Sequence, residues 1–268
     1  MKKVFALLLT FVILSCDDGD ITLQSFAFES QTIPLSKSIR DLLNDTNATA
    51  AKKERKPLSW KALGGVAAGV FAFASQAQMK LASGSIKSYA NFKSNFVDAR
   101  NVEVWLPENY TPSKKYAVLY MHDGQMLFDS TNTWNHQEWG VDECFTQHAK
   151  NLPNTIVVGV WNSGKHRHVD YFPQKPYESL SQQEQERIAS YVRNQAALFA
   201  DGIRSDKYLQ FLVYELKPFI DSVFATYKDA SHTAIAGSSM GGLISMYAIC
   251  EYPQIFGSAA CLSTHWPG

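Results

Sequence analysis

An excess of charge of either sign is missing from this chain. Its 268 residues carry 25 Lys and Arg against 25 Asp and Glu, a formal net charge of zero. No basic excess marks a nucleic-acid partner, and none is expected. Cysteine is scarce: Cys16, Cys144, Cys250 and Cys261 have neither metal-type spacing nor the density of a disulfide framework. The last three read as small buried hydrophobes. Metal-ligand sets are missing as well. His166 and His168 are spaced to share a face, but no cysteine or nearby third ligand completes a set, so no metal is expected. What remains is an apolar fraction of 46%, ordinary for a globular protein with one large domain or two small ones.

The N-terminus has the layout of an export signal. Lys2 and Lys3 precede an apolar run from Val4 to Leu14, too short to span a bilayer as a helix, which ends in Ile-Leu-Ser-Cys. Those four residues resemble a lipobox, with Leu14 in place of the usual small residue. Cys16 is then the expected lipidation site, and an extracytoplasmic, membrane-anchored protein is expected. Asp17, Asp18 and Asp20 begin a polar tether. A second leader-like segment follows, with Lys52, Lys53, Arg55, Lys56 and Lys61 ahead of a Gly/Ala-rich run from Ala62 to Ala74 and a small-x-small ending at Ser75-Gln76-Ala77. One polypeptide does not need two such signals. Either the second run is a buried or membrane-surface helix, or the chain joins two reading units, which we favour. Residues 1–50 thus read as a lipoprotein-type signal and tether, 51–78 as a second signal-like segment, and 79–268 as the main module.

Within that module, Thr233 to Gly242 reads Thr-Ala-Ile-Ala-Gly-Ser-Ser-Met-Gly-Gly and contains G-x-S-x-G. At a nucleophile elbow a strand turns sharply into a helix and holds one serine in a strained backbone conformation, so the positions two before and two after it must be small. Gly237 and Gly241 satisfy this around Ser239, whereas Ser238 would be flanked by Ala236 and Met240. A short apolar run precedes the motif, helical spacing follows from Leu243 to Cys250, and Pro253 comes after the helix should have stopped. The helix start aims free amides and its positive dipole end at the serine, which favours an oxyanion there.

The rest of the module alternates strands and helices, which implies a parallel sheet. Segments near Asn91–Val97 and Asn101–Leu106 read as an edge hairpin, and Tyr116–Met121 and Asn154–Val160 as buried strands. Two polar loops sit where parallel strands end, the place where α/β folds put their ligands. The first, His122-Asp123-Gly124-Gln125, would in a hydrolase supply a second oxyanion donor from the amide of Gly124 or Gln125, beside that of Met240. His122 and Asp123 are neighbours on an extended chain and point opposite ways, so they do not form a catalytic pair; Asp123 is expected to bond nearby amides and shape the loop. The second loop runs from Trp161 to Pro173, where Arg167 suits pairing with a carboxylate or an anionic substrate group. Pro173 to Asp206 is a polar excursion with one helical stretch, read either as a cap or as a surface insertion. Tyr208 to Phe224 is an amphipathic helix with a kink at Pro218.

Taken together, these residues resemble the esterase family of the α/β-hydrolase superfamily, related to enterochelin, ferrichrome and feruloyl esterases. The resemblance runs from about Met79 to the end. It rests on Leu119 to Gln125 with Phe128-Asp129, on Asn162, Gly164, Arg167, Asp170, Tyr171 and Pro173, on Gly237 to Gly242, and on Phe256-Gly257 leading into Leu262-Ser263. It implies a mostly parallel α/β sheet flanked by helices and a serine esterase, without a cofactor, acting on a small or carbohydrate- or siderophore-type ester. His122, Asp123, Trp161, Arg167, Tyr171 and His265 are then expected around the substrate pocket. The superfamily order is Ser, acid, His. After Ser239 only Glu251 and His265 are present, and the family's acid and base lie on later strands. The expectation is therefore a fragment without its last strands, with a bare sheet edge and negligible turnover. The competing expectation is a non-catalytic envelope lipoprotein that binds a glycan or siderophore.

Overall fold

The computed structural model describes residues 10–17, 20–27, 80–193, 196–199 and 201–265, which belong to one compact unit. The run Ala62 to Ala74 lies outside the described residues. Strands β1 (Thr10–Asp17) and β2 (Asp20–Ala27) come first, followed by β3 (Ser85–Phe92), β4 (Arg100–Leu106), β5 (Ala117–His122), helix α1 (Val141–Gln147) and β6 (Thr155–Val160). Three short helices come next, α2 (Arg167–Tyr171), α3 (Gln174–Glu178) and α4 (Gln182–Ala189), then a small ribbon of β7 (Val192–Arg193) and β8 (Ala196–Ala197). The chain ends through α5 (Ser205–Gln210), α6 (Lys217–Val223), β9 (Thr233–Ser238), α7 (Met240–Glu251) and β10 (Ser258–Leu262).

The main sheet has the order β2-β1-β10-β9-β5-β6-β4-β3. Its centre, β10-β9-β5-β6, is parallel, and β4 and β3 add an antiparallel edge. The central strands are apolar at successive positions because helices cover both faces; every residue of β6 is buried. The chain leaves β5 for β6 on one side and later places β9 on the other, so β5 is the topological switch point. Its carboxyl end is where such sheets open a crevice.

Several expectations shift. The edge hairpin forms, but its first strand is Ser85–Phe92 rather than 91–97, because Asn91 at φ 52° breaks the ladder and the chain turns before Val97. Trp105 is buried, since β4 is covered on both faces. The polar excursion holds two helices, and Phe172, Pro173, Pro176 and Ile188 line a cavity with Leu243 of α7. Pro218 makes no break between α5 and α6. A π turn over Phe211–Leu216 widens the helix ahead of it and absorbs the missing N–H and the ring's clash with the preceding turn. The outer edge of β10, expected to be bare, is paired antiparallel with β1 from Phe11↔Leu262 to Ser15↔Ser258. Cys16 lies on that strand, opposite Ile21 of β2.

A buried ion cluster ties the loop after β6 to the sheet. Asp170 is fully buried and accepts from Arg100 Nη2 at 3.1 Å, Arg204 Nη2 at 3.2 Å and Ser163 Oγ at 3.0 Å. A carboxylate at that depth needs such partners, because an unpaired one would be driven to neutralise.

Candidate active site

At the join of β9 and α7, Ser239 has φ 59° and ψ −119°, a conformation that costs a non-glycine residue about 1–3 kcal/mol and is held only where its surroundings enforce it. Four backbone bonds do so. The Ser239 N–H donates to Leu262 O at 2.9 Å, and its carbonyl accepts from Gly242, Leu243 and His265 amides at 3.0, 3.2 and 3.2 Å. Ser238, by contrast, is the last residue of β9, paired with Leu262. A Cβ on Gly237 would stand 2.6 Å from the Gly241 carbonyl carbon, so only glycine lets the strand pass its own helix. The matching requirement expected at Gly241 is weaker: a Cβ there would meet His122 Cβ at 3.4 Å, ordinary contact. Gly242 is the second tight position, with Thr264 Oγ1 2.8 Å from an added Cβ, a constraint the G-x-S-x-G pattern does not contain.

β5 runs parallel to β9, with Met121 opposite Ala236, so their ends emerge side by side. After β5 the chain makes a 3-10 turn at Gly124–Met126 whose first amide bond is Met126 N–H to Asp123 O at 2.8 Å. The amides of Gly124 and Gln125 precede that bond, as Met240's precedes the first internal bond of α7, and such amides have no acceptor within their own helix. Gly124 is pressed flat on β6, because an added Cβ would lie 2.6 Å from the Gly159 carbonyl carbon. The expected donors Gly124, Gln125 and Met240 are therefore brought to the same end of the sheet as Ser239.

The expected pocket residues divide. His122, Asp123 and Tyr171 are buried, at 1%, 4% and 0% exposure, so they stand behind the loop rather than on a pocket wall. His122 Nδ1 lies 2.8 Å from Tyr208 Oη, and its ring packs on Tyr171 and Tyr208. Burial pushes its pKa down to about 3, so the ring is neutral at physiological pH. Asp123, expected to bond backbone amides, instead grips side chains: Arg167 Nε and Nη2 donate to its two oxygens at 2.8 and 2.7 Å, and Asn162 Nδ2 donates at 2.7 Å. Arg167 thus takes the carboxylate partner expected of it. Trp161 is half-buried and donates its amide to Asn101 O at 3.0 Å. His265 is exposed and touches the elbow through its amide. No hydrogen bond joins Ser239 Oγ to a histidine among the described residues. No cluster of three metal-ligating side chains occurs among them, and His166 sits instead between Asp98 and Asp201 at 2.6 and 2.9 Å. The sequence reading missed Tyr208, which its amphipathic pattern marked only as apolar, and the bonds that Asn162 makes.

A family profile described as "Putative esterase" matches residues 94–267. Among curated proteins, the uncharacterized proteins YjcH and YbbA of Bacillus subtilis are 24% and 28% identical over 176 and 169 residues. Those matches cover 66% and 62% of this chain, which spans only 60% and 58% of the relatives' own lengths. Among solved structures, an IroE-like serine hydrolase from Shewanella oneidensis matches with a TM-score of 0.47 and 24% identity, over 64% of this chain and 48% of that one.

Proposed function

The chain belongs to the esterase family, and from that premise we propose that it hydrolyses carboxylic esters with Ser239 as nucleophile. Ser239 Oγ attacks the ester carbonyl and gives its proton to a histidine base. The C–O bond to the alcohol then breaks, and water hydrolyses the acyl-enzyme. The amides of Met240 and of Gly124 or Gln125 serve the oxyanion. The observation that carries the reading is the strained Ser239 between a strand and a helix, with Gly237 pressed on the backbone of Gly241. The described residues bring no histidine side chain to Ser239 Oγ. Turnover by this polypeptide is therefore expected to be weak, of the order of the thousandfold over water that an oxyanion hole and binding supply alone. Hydrolysis of p-nitrophenyl acetate by the chain and by Ser239→Ala checks this. A small Ser239-dependent rate is expected, rising at least about tenfold with added imidazole as a surrogate base. Equal rates for the two proteins would sink the assignment.

The proposed substrate is a small ester with a carbohydrate or aryl part, as in siderophore-type or feruloyl-type compounds. Trp139, whose amide donates to Met126 O at 2.8 Å, stands beside the oxyanion loop and, with the 86% exposed Trp134 earlier in the same segment, suits stacking on such groups. We further propose export with anchoring at Cys16. Cleavage before Cys16 would remove most of β1 and uncover β10, so the pairing of β1 with β10 belongs to the unprocessed chain. The intact mass of protein from cell envelopes decides between the processed and unprocessed forms: a diacylated N-terminal Cys16 is expected, and a chain that retains residues 1–15 refutes anchoring.

A further inference from the structure

The end of β5 carries a carboxylate that turn geometry does not account for. Asp123 sits at φ 57° and ψ 45°, a left-handed conformation that glycine adopts freely and other residues adopt at a cost. Its side chain makes no bond within its own loop. Oδ1 accepts from Arg167 Nε at 2.8 Å and Asn162 Nδ2 at 2.7 Å, and Oδ2 accepts from Arg167 Nη2 at 2.7 Å. Oδ2 also lies 3.5 Å from where a Cβ on Gly241 would stand, which places it against the first turn of α7. Asn162 adds a second strap, its amide donating to Gln125 Oε1 at 3.2 Å. One carboxylate thus stands on the loop after β5, bonds two side chains of the loop after β6 and faces the elbow helix.

Two physical points separate this from an incidental ion pair. Buried ion pairs are weak sources of stability, and glycine at this φ would be the more stable choice, so the side chain is kept at a cost. A bare carboxylate beside a developing oxyanion would also oppose the reaction, but the bidentate Arg167 cancels its charge and leaves its shape. We propose that Asp123 is a positioning residue. Its carboxylate, held by Arg167 and Asn162, sets the spacing between the Gly124–Gln125 amides and Ser239. The proposal rests on the serine-hydrolase reading, and its test keeps the two apart.

In the full chain, Asp123→Gly fits the backbone without strain and Asp123→Asn keeps the shape but not the charge. The readouts are the rate of Ser239 phosphonylation by a fluorophosphonate, the urea midpoint, and hydrogen exchange in peptides covering 122–128 and 239–245. For Asp123→Gly the urea midpoint should hold or rise, while labelling falls at least about tenfold, the scale of a small misplacement of reacting groups. Exchange in the two peptides should quicken together. Asp123→Asn should fall between native and Asp123→Gly. Unchanged labelling overturns the proposal. So does faster labelling, which would mean that Arg167 acts on the reacting group directly, and so does a rise in exchange across the whole sheet, which would mark a merely structural role. If the native chain does not label even with imidazole added as a surrogate base, the hydrolase reading fails and exchange alone decides: coupled opening of the two peptides keeps the positioning role, and independent opening removes it.

Discussion

Gly237→Ala is expected to destabilise the chain by about 3 kcal/mol and to cut labelling of Ser239 at least about a hundredfold. The added Cβ would fall 2.6, 2.7 and 2.8 Å from the C, O and Cα of Gly241, all backbone atoms that no rotamer change can move. β9 cannot retreat, because it is paired with β5 on one side and β10 on the other. The strain must open the elbow itself. Gly241→Ala provides the contrast: its Cβ would meet its nearest neighbours at 3.4 and 3.5 Å, and an effect under about tenfold is expected. Urea unfolding and labelling rates of the two variants check the difference. Equal effects would mean that the elbow is held by something other than this close approach.

The second large effect is one of pH. Burial holds His122 neutral and pushes its folded pKa down to about 3, with Arg167 and Arg100 adding to the fall and Asp123 opposing it. The unfolded chain binds a proton at His122 near the ordinary pKa of 6.5, so this stabilising contribution is fully present above that value. It is lost as pH falls toward 3. Against His122→Asn, the native chain should lose about 3 kcal/mol of unfolding free energy between pH 7 and pH 4. Urea titrations at several pH values measure that difference. A flat difference would show that the imidazole is solvated or already charged in the folded state.

The strand-turn-helix at Ser239 was legible because it is local: G-x-S-x-G, a short apolar strand before it and helical spacing after it. The central strands were legible for the same reason, as continuous apolar runs. What could not be read were the contacts that strand order creates. His122, Asp123 and Tyr171 look like pocket residues along the chain, yet the neighbouring loop and α5 bury them. Asp123 finds its partners at Arg167 and Asn162, about forty positions away, which no local turn rule specifies. Gly242 needs Thr264, and the edge of β10 finds β1, only after the chain has closed its sheet.

The central claim is that Ser239 is the nucleophile. Its most direct test is site mapping by mass spectrometry of a fluorophosphonate adduct formed on the native chain with imidazole as surrogate base, with Ser239→Gly as the companion. A phosphonyl group on Ser239 alone is expected. Ser239→Gly should raise the urea midpoint by relieving φ 59° while abolishing the adduct. An adduct on Ser238, or one that persists in Ser239→Gly, would contradict the claim.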